Sequence, residues 1–281
     1  MKKLAFSVAV GLALAAQPAW AMESEQFAGD AAEAQPVVSV RVDDSDPDDG
    51  VCTGTAIDPH WVITARHCVE AAAKPGGSVR TGQGDNQKVF QVDRHELAPR
   101  GDIALLHTTE DMGLSSYASV AGEVPSGEVN IYGWSSDGSG GSTTLPAAEA
   151  TVRGESPFAL FDAPTALDVA LKNGARIQPG DSGGAIFSEG KVAGVMSAGL
   201  FEDPENPTEE EMNSNAAVAV APVAEQAEWI RGVVGGDASD SASIESSEPS
   251  AALRYVVLGL GALALVAGGL FMATRRKGAN A

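Results

Sequence analysis

The chain has 281 residues, of which 38 are acidic and 18 are basic, giving a formal net charge of −20 at pH 7. Six basic residues lie in the two terminal segments, so the part between them carries 38 acidic against 12 basic side chains, a formal net charge of −26. Such a surface repels phosphate backbones and argues against nucleic acid as a partner. It either attracts neutral and basic substrates or serves as an adaptation for solubility in salt.

Residues 1–21 have the pattern of a secretory signal peptide. Two lysines follow the first methionine, an apolar run extends to residue 16, and residues 19–21 form an Ala-x-Ala ending. These flanks fit export better than they fit a buried N-terminal helix. We expect cleavage after Ala21, which places the bulk of the chain outside the cytoplasm.

The next 15 residues, 22–36, are acidic and rich in alanine without a period, and they predict a short pro-segment or a loose N-terminal arm. From residue 37 onward, β-branched residues and turn signals predict short strands, and one helix is predicted over residues 222–233. The predicted strands are residues 37–42, 52–57, 61–64, 129–134, 185–187 and 192–197. Short strands separated by turns indicate an all-β barrel or sandwich.

Residues 180–184 have the sequence GDSGG. A serine between small residues can lie on a sharp turn with its hydroxyl exposed, and the main-chain amides of Gly180 and Ser182 can point into one small space. Two amides arranged in this way would hold the negative oxygen of a tetrahedral acyl intermediate.

Two further segments supply groups that a serine nucleophile needs. Residues 64–68 (TARHC) contain His67. Residues 101–106 (GDIALL) contain Asp102, the only aspartate between His67 and Ser182 that begins an apolar strand. A hydroxyl is a weak nucleophile at neutral pH, so it requires a neighbouring base, and that base requires a partner that orients it. We therefore identify Asp102 as the candidate orienting group.

In this order of histidine, aspartate and serine, the sequence resembles the trypsin/chymotrypsin family of serine endopeptidases. The resemblance extends over about residues 37–234 and includes segments outside the three motifs. These segments are residues 52–57, 61–65, 132–134 (YGW), 195–199 (VMSAG) and 228–230 (EWI).

The resemblance implies a chymotrypsin-like double β-barrel with a C-terminal helix and an active site between the barrels. It implies that Ser182 forms an acyl-enzyme, that His67 is its general base and acid, and that Asp102 orients His67. The amides of Gly180 and Ser182 would form the oxyanion hole. Ser197 would donate a hydrogen bond to Asp102, or be an ordinary strand serine.

The resemblance also implies a disulfide between Cys52 and Cys68, which fits an oxidising exterior and would be worth about 3 kcal/mol in the chain-entropy model. Two separate buried thiols are the alternative. No spacing of cysteines typical of a metal site occurs, and we expect neither metal nor cofactor.

Arg176, Ser197 and Gly199 lie where the family binds its substrate. Trypsin-like members carry an aspartate at the position of Arg176, so the arginine argues against cleavage after lysine or arginine. Either Arg176 favours an acidic substrate residue, or it points to solvent, as most arginines do. Gln178 stands where the family has a cysteine, which leaves the register of this loop open.

In the family, the aspartate at Asp181 pairs with an N-terminal amine that proteolysis releases. Here no lysine or arginine occurs between Ala21 and Arg41, so a trypsin-type cut cannot release that amine. Either another protease cuts near residues 26–29, or Asp181 has a different partner.

Two acidic runs, residues 43–50 and 202–211, interrupt the domain. The first resembles a calcium loop but has its glycine one place late and lacks the closing glutamate. Both runs are interpreted as solvated loops, with attraction of basic substrate residues or weak calcium binding as alternatives.

The C-terminal part predicts a membrane anchor. Residues 235–253 are rich in serine and acidic residues and predict a flexible stalk. Residues 254–274 predict a single transmembrane helix, because the chain from Tyr255 to Thr274 has no charge, and the basic tail 275–281 would stay cytoplasmic.

Together these observations predict a membrane-tethered serine endopeptidase with a monomeric catalytic domain, 37–234, outside the cell membrane. Its partners would be protein or peptide substrates, and the membrane through its C-terminal helix. The alternative is a catalytically silent binding module that kept the fold. A structural or adhesive surface protein is disfavoured because the sequence has no internal repeats.

Overall fold

The structure is a computed structural model that describes residues 22–44, 51–72, 77–83, 87–134, 144–159, 161–201, 203 and 206–236. The predicted signal peptide, most of the predicted stalk, the predicted transmembrane helix and the basic tail lie outside these residues. In the described ranges, no helix combines the length and apolar character needed to cross a bilayer.

Strands account for most of the regular structure, with three short α-helices between and after them. The strands are β1 (Gln26–Phe27), β2 (Val37–Arg41), β3 (Val51–Asp58), β4 (Trp61–Thr64), β5 (Ser78–Thr81), β6 (Lys88–Leu97), β7 (Ala104–Thr108), β8 (Gly127–Tyr132), β9 (Pro146–Ser156), β10 (Ala166–Leu171), β11 (Ala185–Ser188), β12 (Lys191–Gly199) and β13 (Ala217–Pro222). The helices are α1 (Arg66–Val69), α2 (Glu209–Ser214) and α3 (Ala227–Val234).

The strands form two antiparallel barrels, as the resemblance to the family implied. The first barrel is closed in the order β2, β3, β4, β7, β6, β5. The second has the order β9, β10, β13, β12, β11, β8, and β8 also pairs with β9, which closes the sheet, while β1 adds to the edge of β9. Closure removes exposed strand edges and encloses an apolar core in each barrel.

Strands β4, β7 and β11 are largely buried on both faces and thereby join the barrels. Successive side chains of a strand point to opposite faces. In β4, Val62 packs inside the first barrel while Trp61 and Ile63 face the second. The side chains of β7 alternate in the same way. In β11, which belongs to the second barrel, Ile186 packs inside that barrel and Phe187 faces the first. These three strands are therefore fixed in position by two cores each.

The N-terminal segment 22–36 is packed on the second barrel and is not a loose arm. Met22 is 2% exposed, and Glu23 exchanges two main-chain hydrogen bonds with Arg176, of 3.0 and 2.9 Å. Further along, β1 pairs with β9. The sequence showed no period here because the segment forms isolated bridges and a two-residue strand, which need no repeating pattern.

The C-terminal part of the domain differs from the prediction in two places. The predicted helix 222–233 begins only at Ala227, because Pro222 is the last residue of β13 and a 3-10 turn, Ala224–Gln226, follows it. The acidic run 202–211 leads into α2 and is not wholly a loop. Thr208 and Glu211 form a reciprocal capping box that starts this helix.

Candidate active site

The site lies at the ends of β4, β7 and β11. His67 is in α1, three residues after the last residue of β4, and Asp102 is two residues before the first residue of β7. Ser182 is in the loop that leads into β11. Because each strand packs in two cores, the groups at their ends inherit fixed positions relative to one another.

Asp102 holds His67 through two hydrogen bonds. The His67 main-chain N–H donates to Oδ1 at 2.8 Å, and the imidazole Nδ1 lies 2.7 Å from Oδ2. Asp102 is fully buried, whereas the His67 side chain keeps 24% of its surface exposed. One carboxylate thus fixes both the backbone and the ring of the histidine and leaves Nε2 for other partners.

The two partners shift each other's pKa. Burial alone would lower the pKa of His67, but the charge of Asp102 and the hydrogen bond outweigh it and raise the pKa above 6.5. Burial alone would raise the pKa of Asp102, but the positive charge of His67 and the hydrogen bonds it accepts lower that pKa. The carboxylate is therefore ionised at neutral pH.

Ser197, in β12, completes the surroundings of the carboxylate. Its hydroxyl donates to Asp102 Oδ2 at 2.6 Å, and the residue is 4% exposed. The hydrogen bond that the resemblance implied is present. The hydroxyl proton is used in this bond, so the Ser197 side chain has no further proton to donate to a substrate.

The Ser182 loop packs directly on the first barrel at Gly183. This glycine has φ of +84°, and a Cβ there would overlap the Thr53 carbonyl and the Thr64 hydroxyl. The Ser182 carbonyl accepts a hydrogen bond from the Thr53 N–H at 2.8 Å. Gly184 likewise lets the loop pack closely on Met196 of β12, which a Cβ at this position would overlap. The GDSGG sequence is thus required by contact between the barrels as well as by exposure of the serine.

Within the described residues, no hydrogen bond joins the Ser182 hydroxyl to His67. The imidazole Nε2 lies 3.8 Å from Cys68 Sγ, which is itself 4.0 Å from the Ser182 carbonyl oxygen. Both residues therefore lie beside the same sulfur atom. Hydrogen bonds of this kind are often long in the absence of substrate and tighten when it binds.

The main-chain amides of Gly180 and Ser182 are free donors, since neither makes a hydrogen bond to any residue that the structure describes. Gly180 has φ of +104°, and its carbonyl accepts from the Thr53 hydroxyl at 2.8 Å. This conformation turns the carbonyl towards the first barrel. Both amides remain available to a ligand.

Thr53 is a functional residue that sequence reasoning missed. It is fully buried in β3, and its hydroxyl donates to the Gly180 carbonyl and accepts from the Trp134 N–H, each at 2.8 Å. One threonine therefore joins residues 180–182, the proposed oxyanion loop, to the first barrel. In the sequence it is simply a β-branched residue in a strand, and nothing in the pattern shows that its hydroxyl crosses to the other barrel.

Asp181 is buried behind the same loop with an incomplete set of partners. It is 2% exposed, and Oδ2 accepts from the Gln178 N–H at 2.8 Å. Oδ1 has no hydrogen-bond partner among the described residues. Burial raises the pKa of Asp181 to about 8, although the N–H groups of Gln178 and Met22 act in the opposite direction.

The candidate specificity residues have other contacts. Arg176 is paired with Glu23, with Nη1 3.5 Å from Oε2, and its side chain is 42% exposed. Gly199 lies so close to the Asn215 amide and the Phe201 ring that a Cβ would overlap both. The arginine therefore already has an acidic partner from its own chain.

Cys52 and Cys68 form the expected disulfide, which ties α1 to β3 beside His67. In the part of the chain that the structure describes, the single cluster of three possible metal ligands consists of these two sulfurs and His67. Sulfurs joined in a disulfide are not thiolate ligands, so the cluster is not a metal centre.

A second histidine–aspartate pair shows that such a pair alone is not an active site. His107 Nδ1 lies 2.7 Å from Asp93 Oδ1, and the His107 ring stacks on His60. Both members are partly exposed, with 26% and 48% of their side-chain surfaces accessible, whereas the Asp102 side chain is fully buried.

Comparison with known proteins gives a consistent result. The family model described as Trypsin matches residues 27–230. An uncharacterized peptidase of Corynebacterium glutamicum strain R is 29% identical over 221 residues, covering 77% of this chain and 74% of the relative. Trypsin Tyr p 3.0101 of Tyrophagus putrescentiae is 30% identical over 187 residues, covering 56% of this chain and 66% of the relative.

The fold is also similar to that of a solved serine protease. The structure of neuropsin, a serine protease of mouse brain, superimposes with a TM-score of 0.53 at 20% identity, covering 72% of this chain and 95% of the other. At 20% identity the similarity shows only that the two proteins share the double-barrel fold. The family model, which spans most of the chain, identifies the protein as a member of the trypsin family, a trypsin-like serine endopeptidase.

Proposed function

We propose that Ser182, His67 and Asp102 hydrolyse peptide bonds through an acyl-enzyme. The observation that carries this proposal is the buried Asp102 carboxylate, which accepts hydrogen bonds from the His67 main chain, the His67 ring and Ser197. That much constraint on one histidine, beside a serine in a glycine-rich loop, fits a base held for proton transfer.

In the first half-reaction, His67 Nε2 accepts the Ser182 proton as Oγ bonds to the scissile carbonyl carbon. The carbonyl oxygen becomes an oxyanion, for which the free amides of Gly180 and Ser182 are the proposed donors. The imidazolium next to Asp102 then gives its proton to the leaving amine, and the carbon–nitrogen bond breaks. Water repeats the sequence on the acyl-enzyme, releasing the carboxylic acid and restoring Ser182.

The test is covalent labelling of the whole exported chain, kept in detergent, by an organophosphonate probe. Phosphonylation of the serine hydroxyl should occur on the wild-type chain and be lost in Ser182→Ala. Ser188→Ala, in β11 and without a side-chain hydrogen bond among the described residues, is the matched control and should label normally. Labelling that survives Ser182→Ala would reject the assignment of the nucleophile. If the wild-type chain never labels, a silent binding module becomes the better interpretation.

We also propose that the protease is exported and held at the cell membrane by residues 254–274. The uncharged run of 20 residues and the basic residues that follow it support this. Protease added to intact cells should remove the catalytic domain and leave a small membrane-bound fragment. A domain that resists digestion until the cells are lysed would contradict the proposed orientation.

A further inference from the structure

Two histidines lie side by side on the first barrel, away from the candidate active site. His60 is in the turn between β3 and β4, and His107 is in β7, where it pairs with Trp61 of β4. The centroids of the two imidazole rings are 5.5 Å apart, and the ring planes differ by 14°. His67 and Asp102 are located at the opposite ends of β4 and β7, so the two histidines form a separate cluster.

Hydrogen bonds fix the His60 ring beside β7. Its Nδ1 lies 3.0 Å from the Thr108 carbonyl oxygen, and the His60 carbonyl accepts the Thr108 main-chain N–H at 2.9 Å. The His60 main-chain N–H donates to Asp58 Oδ1 at 3.1 Å. A carbonyl oxygen only accepts hydrogen bonds, so the proton of the neutral ring is on Nδ1, and Nε2 carries the lone pair.

His107 has the same tautomer because of a different acceptor. Its Nδ1 lies 2.7 Å from Oδ1 of Asp93 in β6, and a carboxylate has no proton to donate. In metalloproteins, a carboxylate that accepts from one ring nitrogen orients the imidazole and makes the other nitrogen a better ligand. Asp93 is therefore in the position from which it would prepare His107 Nε2 to bind a metal ion.

Both Nε2 atoms are available to a ligand. Neither has a hydrogen-bond partner among the described residues, and neither is among the buried polar atoms that lack one, so both reach solvent. The ring spacing also fits a shared ion. Two imidazoles on one tetrahedral ion, with metal–nitrogen bonds of about 2.0–2.1 Å, have their centroids about 5 Å apart.

The charges around the two rings favour a cation. Asp58 and Asp93 each accept a hydrogen bond from one of the histidines, and Asp111 lies within electrostatic range of His60. The neighbouring basic side chain, Arg94, lies over an indole ring and pairs with an acidic residue of its own strand. A cation bound by the imidazoles would therefore be attracted by the nearby carboxylates.

We propose that the Nε2 atoms of His60 and His107 bind one divalent transition-metal ion, and that Asp93 orients His107 for this role. The proposal goes beyond the proposed function and does not depend on it. Imidazole nitrogens suit Zn²⁺, Ni²⁺ and Cu²⁺, whereas Mg²⁺ and Ca²⁺ prefer oxygen ligands. The site has no sequence signature, because the two histidines are far apart in the chain.

Within the described part of the chain, no third histidine, cysteine or carboxylate joins the two histidines as a ligand. Water would complete the coordination, and the ion would exchange with solvent. Such an ion would connect the turn between β3 and β4 to β7 in the folded state alone. The melting temperature should therefore rise by about 5–10 °C when free Zn²⁺ is about 100-fold above its Kd.

The first experiment measures Zn²⁺ binding to the whole exported chain, kept in detergent, by isothermal titration calorimetry. Excess Mg²⁺ in the buffer occupies carboxylate sites. Asp93→Asn should weaken Zn²⁺ binding by about 10–100-fold, and His60→Gln and His107→Gln should each weaken it at least as much. His95→Gln is the matched control, because His95 is in the same strand as Asp93 and contacts neither imidazole among the described residues. It should bind Zn²⁺ as the wild type does.

The second experiment uses only the wild-type chain, so it stands even if a substitution disturbs folding. Diethyl pyrocarbonate modifies imidazole nitrogens that are free, and mass spectrometry identifies the modified histidines. Zn²⁺ should protect His60 and His107 and leave the modification of His95 unchanged. The same concentration of Mg²⁺ should protect none of the three.

Several results would overturn the metal site. These are the absence of Zn²⁺ binding by the wild type, an affinity unchanged in both His60→Gln and His107→Gln, and equal modification of the two histidines with and without Zn²⁺. An equal loss of binding in His95→Gln would overturn it too. An affinity that Asp93→Asn leaves unchanged would refute the role of Asp93. None of these results bears on Ser182, which the organophosphonate tests separately.

Discussion

Asp102 is buried without being neutral, because three donors and the charge of His67 compensate for the water it has lost. The same carboxylate raises the pKa of His67 against the effect of burial. At the scale of single residues, the hydrogen bonds and charge around one carboxylate therefore determine the protonation states of both Asp102 and His67.

The pH dependence of kcat/KM should report the pKa of His67. Only the neutral imidazole accepts a proton, so activity should rise as the pH passes the folded pKa, and this limb should lie above pH 6.5. Asp102→Asn removes the charge that raises the pKa and leaves the burial that lowers it. The limb should then move to lower pH, and kcat should fall by about 10⁴-fold. A limb that does not move would contradict the coupling.

Ser197→Ala removes one of the three hydrogen bonds to Asp102. Hydrogen bonds to charged groups contribute about 1.5–3 kcal/mol, so kcat should fall by about 10-fold or more while KM changes little. Steady-state kinetics on a peptide substrate would measure this, with Ser188→Ala as the control. A raised KM with unchanged kcat would instead assign Ser197 to substrate binding.

At the scale of elements, the site depends on where strands end. Residues of β4, β7 and β11 alternate between two cores, so each strand is held on both faces. The loops that follow or precede them have little freedom to move apart. Gly183 is the point where the Ser182 loop contacts the first barrel, and its positive φ and lack of a side chain are both required there.

Gly183→Ala should destabilise the fold well beyond the cost of a positive φ. The new Cβ would overlap the backbone of Thr53 and the hydroxyl of Thr64, and the overlap cannot be relieved without separating the barrels. Gly190→Ala is the control, because Gly190 has φ of +74° with no atom near its Cβ position, and it should cost about 1–2 kcal/mol. Urea unfolding of the two variants would compare them. Equal losses would show that the barrel contact at Gly183 is not tight.

At the scale of the whole molecule, two barrels must be kept in register for the site to exist. The apolar core between the barrels stabilises their association but does not fix their relative orientation, because hydrophobic burial is non-directional. Buried hydrogen bonds fix that orientation, and those of the Thr53 hydroxyl with Gly180 and Trp134 lie beside the site. The disulfide between Cys52 and Cys68 fixes His67 to the same strand.

Thr53→Val should leave the Gly180 carbonyl and the Trp134 N–H buried without this partner, and the free energy of unfolding should fall by about 2–4 kcal/mol. Acylation of Ser182 should slow as well, because residues 180–182 lose the hydrogen bond that holds the Gly180 carbonyl. Thr55→Val is the matched control on the same strand, since the Thr55 hydroxyl is buried without a partner among the described residues, and its removal should be neutral or stabilising. Thermal melting would distinguish the two. A greater loss for Thr55→Val would show that Thr53 does not join the barrels.

The amino-acid sequence by itself indicated short strands and the candidates His67, Asp102 and Ser182, because glycines flanking a serine and turn signals between strands are local patterns. The two-barrel architecture was implied by the resemblance of these motifs to the trypsin/chymotrypsin family. The sequence also indicated the partner of Ser197. It did not reveal Thr53, α2 or the packed segment 22–36. These depend on contacts between residues far apart in the chain. A buried threonine or an isolated β-bridge does not produce a periodic pattern of apolar residues in the sequence.

Only the tertiary structure decided which charges meet. It placed Glu23 on Arg176, and it brought the Met22 nitrogen to the Asp181 carboxyl across most of the length of the domain. The sequence left the partner of Asp181 open, since distance along the chain says nothing about distance in a closed sheet. The physical reason is that burial makes an unpaired charge costly, and only the fold determines what is buried and which donor is within reach.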